Sequence, residues 1–117
     1  MGTEENKALL RLWWDAFNSH NLTVIEKYFS DNFVRYAHDG QTMDREGYRN
    51  MCEWIFEVTP DTKFIVDDMV AEGDKVAFRM TGSGTYNNKP SVIKEAYFAR
   101  FDNGKIVEFH NIFHILD

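Results

Sequence analysis

Apolar residues alternate with polar ones through the second half of the chain, whereas in the first half they recur at helical spacing. Val76, Phe78 and Met80 alternate with small or polar side chains, which is the period-two pattern of a strand with one buried face. Strands are predicted on this basis over residues 63–72, 75–86, 91–101 and 105–116, joined by turns rich in Gly, Asn and Asp.

Two glycines, Gly82 and Gly84, interrupt the second of these strands. Glycine inside a strand is typical of a bend or a bulge. We therefore expect the sheet to curl at this point, and we expect the earlier part of the chain to fill the curl.

Apolar residues three and four apart predict helices before residue 60. The first helix is expected to begin after a cap at Thr3 and to end near residues 19–20, and Asn21 is expected to cap a second, short helix. Asp44 is predicted to cap a third helix, which Pro60 prevents from continuing.

A short strand over residues 33–38 is inserted between the second and third helices. Helices segregated in sequence from the strands are typical of the α+β class. We predict one domain over residues 1–117, with three N-terminal helices packed on a strongly curved antiparallel sheet.

Composition narrows the classes of function. A chain of 117 residues with 44% hydrophobic residues can bury a sizeable core. Its net charge of −6 argues against nucleic acid and anionic membranes as partners. Cys52 is alone, so neither a disulfide framework nor a cysteine-rich metal site is expected. We expect a cytoplasmic protein with no metal and no cofactor.

Three segments carry a family resemblance: FSDNFVRYAHDG, DDMVAEGDKVAFRMTGSGTY and DNGKIVEFHNIF. Together with the order of the elements, they resemble the SnoaL-like polyketide cyclase and ketosteroid isomerase group of the nuclear transport factor 2-like (cystatin-like) superfamily. The resemblance implies a cone-shaped α+β barrel whose concave sheet face meets the helices around a pocket. It also implies cofactor-independent chemistry on carbonyl compounds.

The resemblance aligns the functional positions of that group with other residue types here. The oxyanion-donating tyrosine of the ketosteroid isomerases falls on Trp13, their aspartate base on Ala37, and their protonated aspartate on Tyr97. The acid/base aspartate of the SnoaL-type cyclases falls on Asn111. A carboxylate at some other position would have to move the proton.

Glu95 and His38 are the candidates for that role. Glu95 shares strand parity with Ile93 and Tyr97, and a carboxyl group in apolar surroundings has a raised pKa suited to acid/base work. The alternative is a solvated Glu95 or one paired with Arg79. His38 shares parity with Tyr36, and an inward His38 would serve as base beside Glu95 as acid. The alternative is a histidine at a strand end, bonded locally.

Aromatic residues on helices and sheet predict a pocket for a small apolar or polycyclic ligand. Tyr97 and Asn111 are expected to orient a substrate carbonyl. The predicted ligand-contacting residues are Trp13, Tyr36, Trp54, Phe78, Met80, Tyr97, Phe109, Asn111 and Phe113.

The last strand is predicted to place Val107, Phe109, Asn111, Phe113 and Ile115 inward, with His110 and His114 on the convex side. The resemblance implies that this side forms a homodimer interface through the sheet. Three hypotheses follow: an isomerase, cyclase or dehydratase; a non-catalytic ligand-binding or stress-associated protein; and a dimeric interaction module.

Overall fold

The computed structural model describes residues 2–116. Three helices and six strands follow in the order α1 (Thr3–Asn18), α2 (Ile25–Tyr28), β1 (Phe29–Ala37), β2 (Thr42–Asp44), α3 (Arg45–Val58), β3 (Lys63–Glu72), β4 (Lys75–Tyr86), β5 (Lys89–Asp102) and β6 (Lys105–Leu116). This is the predicted α+β fold, with the helices before the four long strands. None of the helices within residues 2–116 is both long and apolar enough to cross a bilayer.

The six strands form one sheet in the order β2-β1-β6-β5-β4-β3. Strands β3 to β6 are joined by short turns and pair antiparallel, as predicted. The sheet is mixed rather than wholly antiparallel, because β6 returns beside β1 and runs parallel to it. It is also open, since β2 and β3 lie at opposite edges. Alternation along a strand carries no signal of its pairing direction, so the sequence pattern could not distinguish these arrangements.

Asp44 caps α3 as predicted, accepting a hydrogen bond from the Gly47 N–H at 2.8 Å. The predicted caps of the other helices are wrong. α1 begins one residue earlier in the chain, with Gly2 as the capping residue and the Glu5 carboxylate accepting from its N–H at 2.7 Å. The Asn21 side chain closes a turn onto Thr23 instead, and α2 starts only at Ile25.

Gly82 and Gly84 do not produce bulges, because the β4–β5 register runs without interruption from Lys75 to Tyr86. Their missing side chains leave room for neighbours. A Cβ on Gly82 would lie 2.6 Å from Phe64 Cε2, and one on Gly84 would lie 2.4 Å from Thr59 Cγ2. Gly82 therefore makes room for the Phe64 ring of the adjacent strand, and Gly84 lets β4 pass close to the segment after α3.

The bulges lie elsewhere in the sheet. One register shift falls at Asp67 in β3 and another at Val107 in β6. The second shift places Ile106 in the core, fully buried, whereas Val107 is only half-buried. The prediction that Val107 shares the inward side with Phe109 is therefore wrong, because a bulge inverts strand parity at that point.

The core lies between the concave sheet face and the helices α1 and α3. Aromatic rings dominate it: Trp13 packs edge-on against Phe29, with ring centroids 4.9 Å apart, and Phe109 contacts Tyr48 at 5.8 Å. Asn18 ties α1 to β3 by accepting from the Phe64 N–H and donating to its carbonyl, at 2.9 and 2.8 Å. This packing fills one end of the space between the concave sheet face and the helices, and a cavity lies at the other end.

Candidate functional site

A cavity of about 570 Å³ lies between the concave sheet face and the helices α1 and α3. Its volume falls within the range of small-molecule sites. Buried parts of its wall are supplied by Trp14 and Phe64, among others. Trp54, Tyr86 and Ile115 also line it while remaining about half exposed to solvent, so we call these three residues the cavity mouth.

Glu95 is the carboxyl group of the cavity's sheet wall. It lies on β5, directly across from Met80 on β4 and Phe113 on β6. Its Oε1 accepts one hydrogen bond from the Tyr97 hydroxyl and one from Asn111 Nδ2, both at 3.3 Å. Both donors use the same oxygen, and within the described chain no donor reaches Oε2.

Burial raises the pKa of Glu95 to about 7, because the apolar surroundings disfavour its charged form. The hydrogen bond from Tyr97, the charge of Arg35 and the hydrogen bond from Asn111 act in the opposite direction and lower this pKa. At neutral pH the carboxyl group is therefore present in comparable amounts as acid and as base. That is the state in which one group can both accept and return a proton.

Packing fixes the Tyr97 hydroxyl in place. The Tyr97 ring stacks on Phe78 with centroids 4.7 Å apart and a 4° angle between planes, and it contacts Phe109 edge-on at 5.2 Å. Burial raises the pKa of Tyr97 well above its ordinary value, so the phenol keeps its proton and remains a donor to Glu95. Tyr97 is thus a residue that positions the carboxyl group.

Arg35 is the cation of the cavity wall. It lies on β1 between its strand partners Met43 and Phe109, and its side chain is only 8% exposed. Its Nε is buried and has no hydrogen-bond partner. No carboxylate in residues 2–116 forms an ion pair with it within 4.0 Å. Its charge nevertheless acts on the pKa values of Glu95, Tyr97 and Cys52.

Two further ionisable groups line the cavity but are poor nucleophiles. Burial raises the pKa of the Cys52 thiol to about 12, so the reactive thiolate is scarce at neutral pH. Burial also raises the pKa of Tyr48 well above its ordinary value. In the part of the chain that the structure describes, no three His, Cys, Asp or Glu side chains are grouped so that they could hold a metal ion.

The predicted site residues separate into four groups, the last of which, His38 and Tyr36, lies outside the cavity. Glu95, Trp54, Tyr97 and Phe113 line the cavity. Trp13, Phe78, Met80 and Phe109 are buried in the core behind the wall and do not line it. Asn111 is also buried, and it reaches the site only through Glu95. Tyr97 and Asn111 were expected to orient a substrate carbonyl. In the structure both instead donate hydrogen bonds to the Glu95 carboxyl group. The alternative partner of Glu95, Arg79, lies instead near Asp68.

His38 and Tyr36 lie outside the cavity, contrary to prediction. His38 follows the end of β1 in an exposed turn, with its ring against the edge of Phe113 at 4.8 Å. Tyr36 stacks on His110 of β6 at 4.5 Å on the convex side. The error is one of parity: β1 turns Phe33 and Arg35 inward. Both faces of β1 carry apolar residues, so alternation alone could not identify the inward one.

Arg35 was not among the predicted site residues, although the sequence contained a signal for it. The resemblance had aligned the base of the ketosteroid isomerases with Ala37, which shares strand parity with Arg35 and not with His38. The structure places Ala37 and Arg35 together in the cavity wall. Of the two adjacent tryptophans on α1, Trp14 lines the cavity, whereas Trp13 is buried in the core.

Comparisons with known proteins agree with this fold. The family described as the SnoaL-like domain matches residues 10–109. A loop-truncated variant of IdmH is 26% identical, with a TM-score of 0.82 over 92% of this chain and 91% of the other. Wild-type IdmH from Streptomyces antibioticus, provisionally assigned as a polyketide cyclase, is 24% identical, with a TM-score of 0.83 over 92% and 90%.

AclR from Streptomyces galilaeus, provisionally assigned as a hydroxylase, is 24% identical, with a TM-score of 0.88 over 97% of this chain and 81% of the other. No curated protein sequence matches this chain. The similar structures thus share the fold while differing in assigned chemistry.

Proposed function

Since the chain belongs to the SnoaL-like domain family, we propose that it binds a small, largely apolar carbonyl compound and moves a proton on it without a cofactor. Isomerisation, aldol-type cyclisation and dehydration all begin with removal of a proton next to a carbonyl group. Glu95 is the base in this proposal. The same carboxyl group then returns the proton as the acid.

The observation that supports this proposal is the setting of Glu95. Its carboxyl group lines the cavity, and its pKa is about 7. One oxygen is held by Tyr97 and Asn111, which leaves Oε2 for the substrate proton. A general base works best when its pKa is near the operating pH. His38 has no part in the mechanism, because it lies in the exposed turn after β1.

The experiment measures proton removal directly and needs no knowledge of the natural substrate. A bicyclic ketone such as 2-tetralone is incubated with the protein in D₂O, and loss of its α-proton signal is followed by NMR. Wild-type protein should accelerate exchange above buffer, and Glu95→Gln should lower the accelerated rate by about 100-fold or more. The matched control is His38→Ala, which should exchange within about twofold of wild type.

A second candidate function is non-catalytic binding in the same cavity. It is favoured by the hydrogen bonds of Glu95, because no second acid/base side chain of the described residues reaches that carboxyl group. Ketone binding in the cavity with equal exchange rates for wild type and Glu95→Gln would establish this function in place of the catalytic one.

A further inference from the structure

We propose that the molecule bound in the cavity carries a carboxylate on its apolar skeleton, and that Arg35 binds this carboxylate. The inference rests on the proposed function, because it assumes that the cavity takes a small apolar molecule. It adds the charge of that molecule and the residue that recognises it.

Arg35 is a buried arginine. A buried charge is costly unless it is paired and hydrogen-bonded, and arginine is rarely buried without a partner. Arg35 is 92% buried, since its exposed fraction is 8%, and its Nε has no partner. Within residues 2–116 its other two guanidinium nitrogens also lack a hydrogen-bond acceptor. The protein therefore holds a cation that none of these residues satisfies.

The charge of the cavity wall depends on the ionisable side chains that line it. The ionisable groups that line it are Arg35, Asp39, Tyr48, Cys52, Tyr86, Glu95 and Tyr97. Tyr48, Cys52 and Tyr97 stay neutral because burial raises their pKa values. Asp39 is exposed in the turn after β1, and Glu95 is often protonated at neutral pH. The buried part of the wall thus carries one net positive charge whenever Glu95 is protonated.

The Arg35 guanidinium limits the shape and the charge of the anion that it can bind. The planar guanidinium fork fits a carboxylate with two parallel hydrogen bonds. A phosphate monoester carries close to two negative charges, and one guanidinium would leave part of that charge uncompensated in an apolar wall. An apolar monocarboxylate matches both the single cation and the aromatic surroundings supplied by Trp14, Phe64 and Tyr97.

The test compares two probes of equal shape, adamantane-1-carboxylate and adamantane-1-carboxamide. Binding is measured by calorimetry and by tryptophan fluorescence, since Trp14 and Trp54 both line the cavity. Wild type should bind the carboxylate at least about tenfold more tightly than the amide, because hydrogen bonds to charged groups contribute more than neutral ones. Arg35→Gln should remove this difference while leaving the amide affinity within about twofold.

Arg35→Lys is the matched variant that keeps the charge and loses the fork, and it should show an intermediate preference for the carboxylate. The circular dichroism spectrum of each variant checks its fold, and removal of an unpaired buried cation is not expected to destabilise the protein. Equal affinities of wild type for both probes would overturn the proposal that the ligand carries a carboxylate, while the proposal that the cavity binds a small apolar molecule would stand. A preference that survives in Arg35→Gln would overturn the role of Arg35. If neither probe binds at millimolar concentration, the inference fails together with the cavity-binding premise.

Discussion

At position 95 the chain holds a carboxyl group whose charged form is poorly solvated, and this has a consequence for folding as well as for chemistry. The pKa of Glu95 is about 7 in the folded protein and about 4.5 for an ordinary glutamate. Between these two values the native state keeps a proton that the unfolded chain has released. The free energy of unfolding must therefore fall as the pH rises through this window.

This gives a prediction for Glu95→Gln, which keeps the shape and the acceptor oxygen but cannot ionise. Below the ordinary pKa of glutamate the two proteins should differ little in stability. Above pH 7 the wild type should have lost on the order of 2 kcal/mol relative to the variant. Urea unfolding of both proteins across this pH range measures the difference. A difference that stays constant with pH would show that Glu95 ionises normally.

At the same scale, Glu95 could be predicted from the sequence and Arg35 could not be found by alternation alone. Ile93, Glu95 and Tyr97 lie on one face of a strand whose other face is plainly polar or exposed, so parity located the carboxyl group correctly. On β1 both faces carry large side chains, because Tyr36 packs against His110 outside the cavity. Strand parity identifies a buried residue only where one face is polar.

At the scale of elements, the alternation pattern predicted the long strands well and their irregularities poorly. β3, β4 and β6 begin and end at the predicted residues. The bulges at Asp67 and Val107 gave no local signal, because a bulge depends on how two strands match and not on either strand alone. The glycines of β4 were interpreted as a bend or a bulge; no bulge lies there, and both glycines are sites where neighbouring side chains approach closely.

A prediction tests that close approach. Gly84→Ala should lower the free energy of unfolding by about 1–3 kcal/mol, because the new methyl group would overlap Thr59. Thermal and urea unfolding measure the loss. Ser83→Ala, at the exposed position between the two glycines, is the control and should have little effect.

The double variant Gly84→Ala with Thr59→Ser sharpens this test, since serine lacks the Cγ2 that the new methyl group would meet. It should regain a measurable part of the stability lost in Gly84→Ala. Full stability of Gly84→Ala alone would mean that β4 can move away from the segment after α3 at little cost.

At the scale of the whole molecule, the convex side of the sheet carries an apolar surface. Its convex patch consists of Tyr36, Phe98, His110 and Ile112, contributed by β1, β5 and β6, with Phe98 59% and Ile112 65% exposed. Arg100 and Glu108 lie beside it as an ion pair at 3.1 Å. A surface that combines apolar area with both charges is complementary to itself, as a twofold-symmetric interface requires.

We therefore propose that two copies of this chain associate through the convex patch. Sedimentation velocity should show a dimer for wild type and a monomer for Phe98→Glu, because the charge would be buried without a partner. Leu12→Glu, which adds the same charge to an exposed position on α1, should remain a dimer. A monomeric wild type at every concentration tested would contradict the proposal.

The open sheet also leaves one long strand, β3, with no strand of residues 2–116 beyond its outer edge, although Asn18 of α1 bonds the backbone of Phe64 there. That strand carries exposed Ile65 and Val70, which on a straight edge would invite another chain to add a strand. Asp67 and Asp68 lie between them, at the register shift. Asp67 accepts a hydrogen bond from Thr81 of β4, and Asp68 forms an ion pair with Arg79 of the same strand. Two carboxylates and a register shift in the middle of an edge are features that disfavour the addition of another strand. We therefore expect the irregularity that the alternation pattern could not predict to limit association of copies of this chain along β3.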